Sequence, residues 1–171
     1  MSPDRGESSN EDLLERIDKT VIGLQRKHEQ LEAAFTPYEG EEGHWEFNEH
    51  YDSDDVEERN RAELVHTGFE RHHQLIRDLV DLSAKLASRI GACPKKGKGQ
   101  DWLEVLEGEG IISSVDAQLL RENTIVRNES QHAYVEAVSN QVYKAAERQL
   151  NDGPKLVAKL GRWVAGLRDQ I

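Results

Sequence analysis

From residue 54 to residue 90, apolar side chains recur at helical spacing: Val56, Leu64, Val65, Phe69, Leu75, Ile76, Leu79, Val80, Leu82 and Leu86, with no proline and a single glycine among them. A helix that long has to be the spine of the fold, because its apolar faces are covered only if the rest of the chain packs along it. Glycine and proline are just as scarce in the other stretches of helix formers, and no segment alternates cleanly enough to read as a strand. The chain therefore reads as all-α, an antiparallel helical bundle.

The spacing predicts a first helix over about residues 11–35, with Ser9 or Asn10 as N-cap and Leu13, Leu14, Ile17, Val21, Leu24 and Leu31 as its apolar stripe. Residues 36–53 carry Pro37, Gly40, Gly43 and many acids and read as a loop that Trp45, Phe47 and Tyr51 pin onto the bundle. The acids from Asp52 to Glu58 suit the N-terminal dipole of the helix they enter. After the spine, Gly91 supplies a stop and residues 93–99 read as a flexible basic loop. A short helix near 101–107 follows, then one that starts near Val115 behind Ser113 or Ser114. Helices near 135–150 and 154–168 finish the chain, separated by Asn151-Asp152-Gly153 with Pro154 in a first turn. The organisation expected is an N-terminal helix and acidic loop over residues 1–55, packed on a helical bundle over 56–171.

Charge limits the partners. The formal net charge is -11, which argues against a general nucleic-acid binder. Residues 1–84 hold 9 basic and 22 acidic side chains, whereas residues 85–171 hold 13 and 11. An anionic ligand should therefore meet the C-terminal half. The single cysteine, Cys93, allows no internal disulfide, which fits a reducing cytoplasm. Neither an apolar leader nor a membrane-length apolar run is present, so a membrane partner is not expected.

In that C-terminal half lies Arg127-Asn128-Glu129-Ser130-Gln131-His132-Ala133-Tyr134. Histidine exchanges protons near neutral pH, and the arginine fork fits phosphate. RNA carries its own nucleophile, the 2′-hydroxyl. Cleaving it takes a base, an acid for the leaving 5′-oxygen and positive charge on the phosphate, with no metal or other cofactor. His132 is the candidate acid/base and Arg127 the candidate clamp. Asn128 supports them, and Tyr134 is placed to stack on a base or bond phosphate. On a regular helix Arg127 and His132 would diverge by about 140° and differ by about 7.5 Å in height. Either the helix ends or bends near Ser130, or a second protomer completes the pair across a two-fold axis. Lys95, Lys96 and Lys98 are candidate RNA contacts, although an exposed basic loop is the commoner explanation. His44, His50, His66, His72 and His73 lie among acids but show no zinc-ligand spacing. The bland reading of the motif has Arg127 capping a carboxylate and His132 ending a helix.

The run Gly110-Ile111-Ile112-Ser113, the helical stretch after it, Arg127-Asn128 and His132-Ala133-Tyr134 together resemble the signature of the HEPN superfamily, in its HepT-like toxin branch. The resemblance covers about residues 60–168. It includes a helix over residues 75–87 that carries Asp78 or Asp81, and closing helices from Val142-Tyr143 to Trp163. It implies a helical-bundle homodimer with metal-independent endoribonuclease activity, used as a toxin in the cytoplasm. The implied partner is a MntA-like nucleotidyltransferase antitoxin that adds AMP to the motif tyrosine, here Tyr134. Members of the superfamily also lose catalysis and keep the fold, so the alternative expectation is a silent domain that binds a nucleotidyltransferase or a nucleotide. The acidic segment over residues 1–55 is longer than the family pattern, and its charge would keep bulk RNA away from a cleft.

Overall fold

The computed structural model describes residues 8–130 and 138–171. Among them are six α-helices, α1 (Asn10–Phe35), α2 (Gly40–Tyr51), α3 (Val56–Arg89), α4 (Trp102–Gly108), α5 (Ser114–Ser130) and α6 (Val138–Arg168), a 3-10 turn over Thr36–Tyr38, and no strand. The chain is all-α, as expected. None of the described helices is long and apolar enough to cross a membrane.

Local chemistry sets the helix starts. Ser9 and Asp12 form a reciprocal capping box at α1, Asp55 accepts from Glu58 N at α3, and Asp101 accepts from Glu104 N at α4. Gly91 ends the spine at φ 74, where the amides of Ala92 and Cys93 both turn back to the carbonyl of Ala87.

Residue pairings give the directions. Gly68 packs on Leu31, Gly23 on Leu75, and Arg89 donates to Ser8 O, so α1 runs antiparallel to α3. Asp116 pairs with Lys159 and Glu122 with Arg148, so α5 runs antiparallel to α6. α3 and α6 run parallel, with Gln149 at Phe69 and Gly153 at His72 and Ile76.

Two apolar cores share the spine. One gathers Leu31, Phe35, Tyr38 and Phe47 with Ala62, Val65 and Phe69 of α3 and Val142 to Ala146 of α6. The other gathers Leu13, Ile17 and Leu24 with α3 from Ile76 to Ala87, α4, and Leu156, Leu160, Val164 and Leu167 of α6. Between them lies a buried polar layer of His72, His73, Asn123 and Gln149. α1 contributes to both cores.

Four expectations are corrected. Residues 36–53 form a 3-10 turn and α2 rather than a loop. Gly43, Phe47 and His50 fall on one helical face that is buried against Tyr38, and a Cβ at position 43 would lie 2.3 Å from the Tyr38 carbonyl carbon, so only glycine fits there. Phe47 and Tyr51 do pack on the core, but Trp45 is 64% exposed and pins nothing. In the apolar stripes, Val21, Val56 and Leu64 face outward.

The fourth correction concerns Asn151-Asp152-Gly153-Pro154, which does not separate two helices. α6 runs through it with Pro154 inside. Packing wins over the local break, because buried residues on both sides of Pro154 dock onto the same spine, and Gly153 sits in contact with His72 and Ile76. Pro154 still lacks the amide that α6 needs. Pro154→Ala is expected to stabilise the fold by about 1–2 kcal/mol, the helix gain being partly offset by a looser unfolded chain. Differential scanning calorimetry should read a rise in Tm of roughly 3–6 °C. An unchanged Tm would mean that α6 carries no penalty at the proline.

Candidate functional site

α5 begins at a capping box in which the Ser113 hydroxyl accepts from Asp116 N at 3.0 Å and the Asp116 carboxylate accepts from Ser113 N at 3.3 Å. Its inner face starts apolar, with Ala117 and Leu120, and turns polar at Asn123, Thr124, Arg127 and Ser130. That polar half lies along the polar stretch of α3, so that His73 meets Thr124, Gln74 meets Arg127, and Glu70 and His66 meet Ser130.

The Arg127 guanidinium is half-buried. Its Nη1 donates to Gln74 Oε1 and its Nη2 to Asn128 Oδ1 at 3.4 Å. Both acceptors are neutral amides. Among the described residues Arg127 forms no ion pair, and its buried Nε has no partner. Arg77, one turn along α3 from Gln74, contrasts with it, because its guanidinium faces the Asp101 carboxylate at 3.7 Å. The bland reading of Arg127 as a carboxylate cap therefore does not describe this geometry.

Burial, reinforced by the charges of Arg127 and Arg77, pushes His73 down to about 3. It is neutral near pH 7, and its tautomer follows from the bonds. Thr124 donates its hydroxyl hydrogen to Leu120 O at 2.8 Å, so His73 Nε2 must be the donor in the 2.9 Å bond to Thr124 Oγ1. A neutral imidazole beside Arg127 leaves the guanidinium as the cation of this part of the layer.

Ser130 fixes the last described turn of α5. Its Oγ lies 2.9 Å from Arg127 O, 3.1 Å from Glu70 Oε1 and 3.0 Å from His66 Nε2. This trio resembles a serine-hydrolase arrangement but lacks its logic. Glu70 Oε1 sits 2.8 Å from the same nitrogen that faces Ser130, and the other ring nitrogen, Nδ1, faces Tyr51 OH at 3.3 Å. A triad needs the carboxylate on the nitrogen opposite the serine. The cluster instead ties the α5 end to α3.

Of the residues singled out from sequence, Arg127 and Asn128 are in contact, and His132 and Tyr134 lie outside the described residues. Lys95, Lys96 and Lys98 are exposed, and Lys96 lies 5.6 Å over the Trp102 ring, next to the Asp101 that reaches Arg77. The loop is not wholly loose, since Cys93 is buried and its thiol donates to Ala84 O at 3.4 Å. The histidines weighed as metal ligands have other partners: His44 stacks on Tyr143, His50 bonds Tyr38 OH, and His72 bonds Gln149. Among the described residues no group of three His, Cys, Asp or Glu is placed to hold a metal ion.

Sequence reading missed Gln74, Glu70 and Thr124, and weighed His66 only as a metal ligand. The signal was there in part, because His66, Glu70, Gln74 and Asp78 recur every four residues, a polar stripe on a helix otherwise read for its apolar positions. Comparisons of the chain with family models, with curated proteins and with solved structures found no match.

Proposed function

We propose that the chain is a metal-independent endoribonuclease of the HEPN type. In this reading it acts as a homodimeric toxin in the cytoplasm, and a MntA-like nucleotidyltransferase silences it by adding AMP to Tyr134. The observation that carries the reading is the state of Arg127. A guanidinium steered by two amide oxygens, and balanced by no carboxylate among the described residues, keeps its full charge for an incoming anion. It sits five positions before His132, in the half of the chain where basic residues outnumber acidic ones.

The chemistry follows from those two groups. An imidazole of the His132 pair takes the proton from the 2′-hydroxyl, whose oxygen attacks the adjacent phosphorus. Arg127 stabilises the charge gathering on the phosphoryl oxygens. The bond from phosphorus to the 5′-oxygen then breaks, and that oxygen leaves with a proton from the protonated imidazole. The products are a 2′,3′-cyclic phosphate and a 5′-hydroxyl. Asn128, already bonded to the guanidinium, limits its rotation.

The test uses purified chain and structured RNA in the presence of a chelator. The wild type should cut the RNA and leave cyclic-phosphate ends, and His132→Ala should not. Co-expression with a nucleotidyltransferase of the MntA type should add the mass of AMP to the wild type and not to Tyr134→Phe. Equal, intact RNA with both wild type and His132→Ala would remove the nuclease and favour the silent, partner-binding alternative.

A further inference from the structure

A cavity of about 270 Å³ opens between α1 and α6 over the middle of α3, lined by Val21, Leu24, His28, His72, Pro154 and Val157. Most of this wall is apolar. Its polar members are Gln25, which is exposed, His28, which is half-buried, and His72, which alone of the three is enclosed, at 2% exposure.

The hydrogen-bond chain behind His72 fixes which way its proton points. The Phe69 carbonyl can only accept, so the amide nitrogen of Gln149, 3.3 Å away, donates to it. The same nitrogen lies 2.8 Å from His72 Nδ1, which must then accept. The amide oxygen of Gln149 is taken by Asn123 Nδ2 at 3.1 Å. With Nδ1 an acceptor, the ring hydrogen of His72 is on Nε2. That N–H has no partner among the described residues, and protein atoms do not seal it. An imidazole otherwise enclosed by the fold thus offers one locked donor to an apolar cavity.

The surroundings select the charge of a ligand. His28 Nε2 faces the Glu32 carboxylate at 3.3 Å, and residues 1–84 hold 22 acidic against 9 basic side chains. Among the described residues no lysine or arginine lines the cavity. An anion would lose its hydration here without gaining a countercharge. A cation would meet the wrong end of an N–H dipole. The volume suits a molecule of one ring.

We propose that this cavity is a binding site for a small uncharged molecule that carries an apolar ring and one carbonyl-type acceptor, with the acceptor bonded to His72 Nε2–H. The site stands apart from Arg127 and does not depend on RNA cleavage.

The test titrates the full chain with three probes of similar shape: acetophenone, ethylbenzene and benzoate. NMR follows the His72 ring and the methyl groups of Val21, Leu24 and Val157. Acetophenone should shift all of them saturably. Ethylbenzene, which lacks the acceptor, should bind about 3-fold to 10-fold more weakly. Benzoate should bind more weakly than acetophenone. Because His72→Phe could disrupt the buried network, the control is Ala158→Phe, an exposed helical position at the cavity's edge. It should abolish the acetophenone shifts and leave the rest of the spectrum intact. The proposal is overturned by any of four results: no saturable shift, shifts that survive Ala158→Phe, ethylbenzene equal to acetophenone, or benzoate binding the tightest.

Discussion

Arg127→Ala is expected to lower RNA cleavage by about two to three orders of magnitude, the usual effect of removing one preorganised group that meets charge formed in a transition state. Stability should hardly change, because the guanidinium is half-buried and forms no ion pair among the described residues. Alanine alone does not separate a charged clamp from a structural arginine, and Gln74→Glu does. The change keeps the shape of the side chain that receives Arg127 Nη1 but makes it an anion. If Arg127 is a strut, an ion pair serves at least as well as an amide, and the melting temperature holds within the effect of about 1 kcal/mol typical of exposed pairs. If Arg127 is a phosphate clamp, the new carboxylate neutralises it, and cleavage falls about tenfold or more in the fold-intact protein. Single-turnover rates under chelation, read beside calorimetry, distinguish the two. Full activity in Gln74→Glu would mean that Arg127 does not act through its free charge.

How much of this was legible in the sequence depends on what sets each feature. Helix starts at Ser9, Asp55, Asp101 and Ser113, and the stop at Gly91, are decided within a few residues, so caps and a left-handed glycine announce them. α2 and the unbroken α6 are decided by packing. Gly40, Gly43 and Pro154 argue against helix locally, and burial of Phe47 on one side and of Leu156 to Leu167 on the other outweighs them. The site divides the same way. Arg127 and Asn128 are neighbours in sequence and carry a recognisable pattern. Gln74, which steers Arg127, lies 53 residues away, and only the antiparallel pairing of α3 with α5 joins them. The polar layer was hidden for a further reason. His72 and His73 sit among acids in the sequence, which suggested solvent or metal, yet adjacent helical positions face different neighbours, and here both rings turn inward.

That layer makes the fold acid-sensitive well above the ordinary carboxylate range. Burial, helped by nearby His28, lowers His72 to about 4. Burial, then Arg127 and Arg77, lowers His73 to about 3. Both folded values lie below the unfolded value of 6.5, so below pH 6.5 the unfolded chain takes up protons that the folded chain refuses. Stability is complete above pH 6.5 and is lost as the pH falls towards the folded values. At pH 5 each histidine should cost about 2 kcal/mol, enough together to lower Tm by roughly 10 °C. Carboxylates held below their ordinary values titrate beneath this window. The variants that isolate the effect keep the bonds and remove the titration. His73→Gln retains a donor for Thr124, and His72→Asn retains an acceptor for Gln149. Their combination should flatten the profile between pH 6.5 and 5 without lowering Tm at pH 7 by as much as the wild type loses at pH 5. A double variant that keeps the wild-type slope would place the acid sensitivity elsewhere.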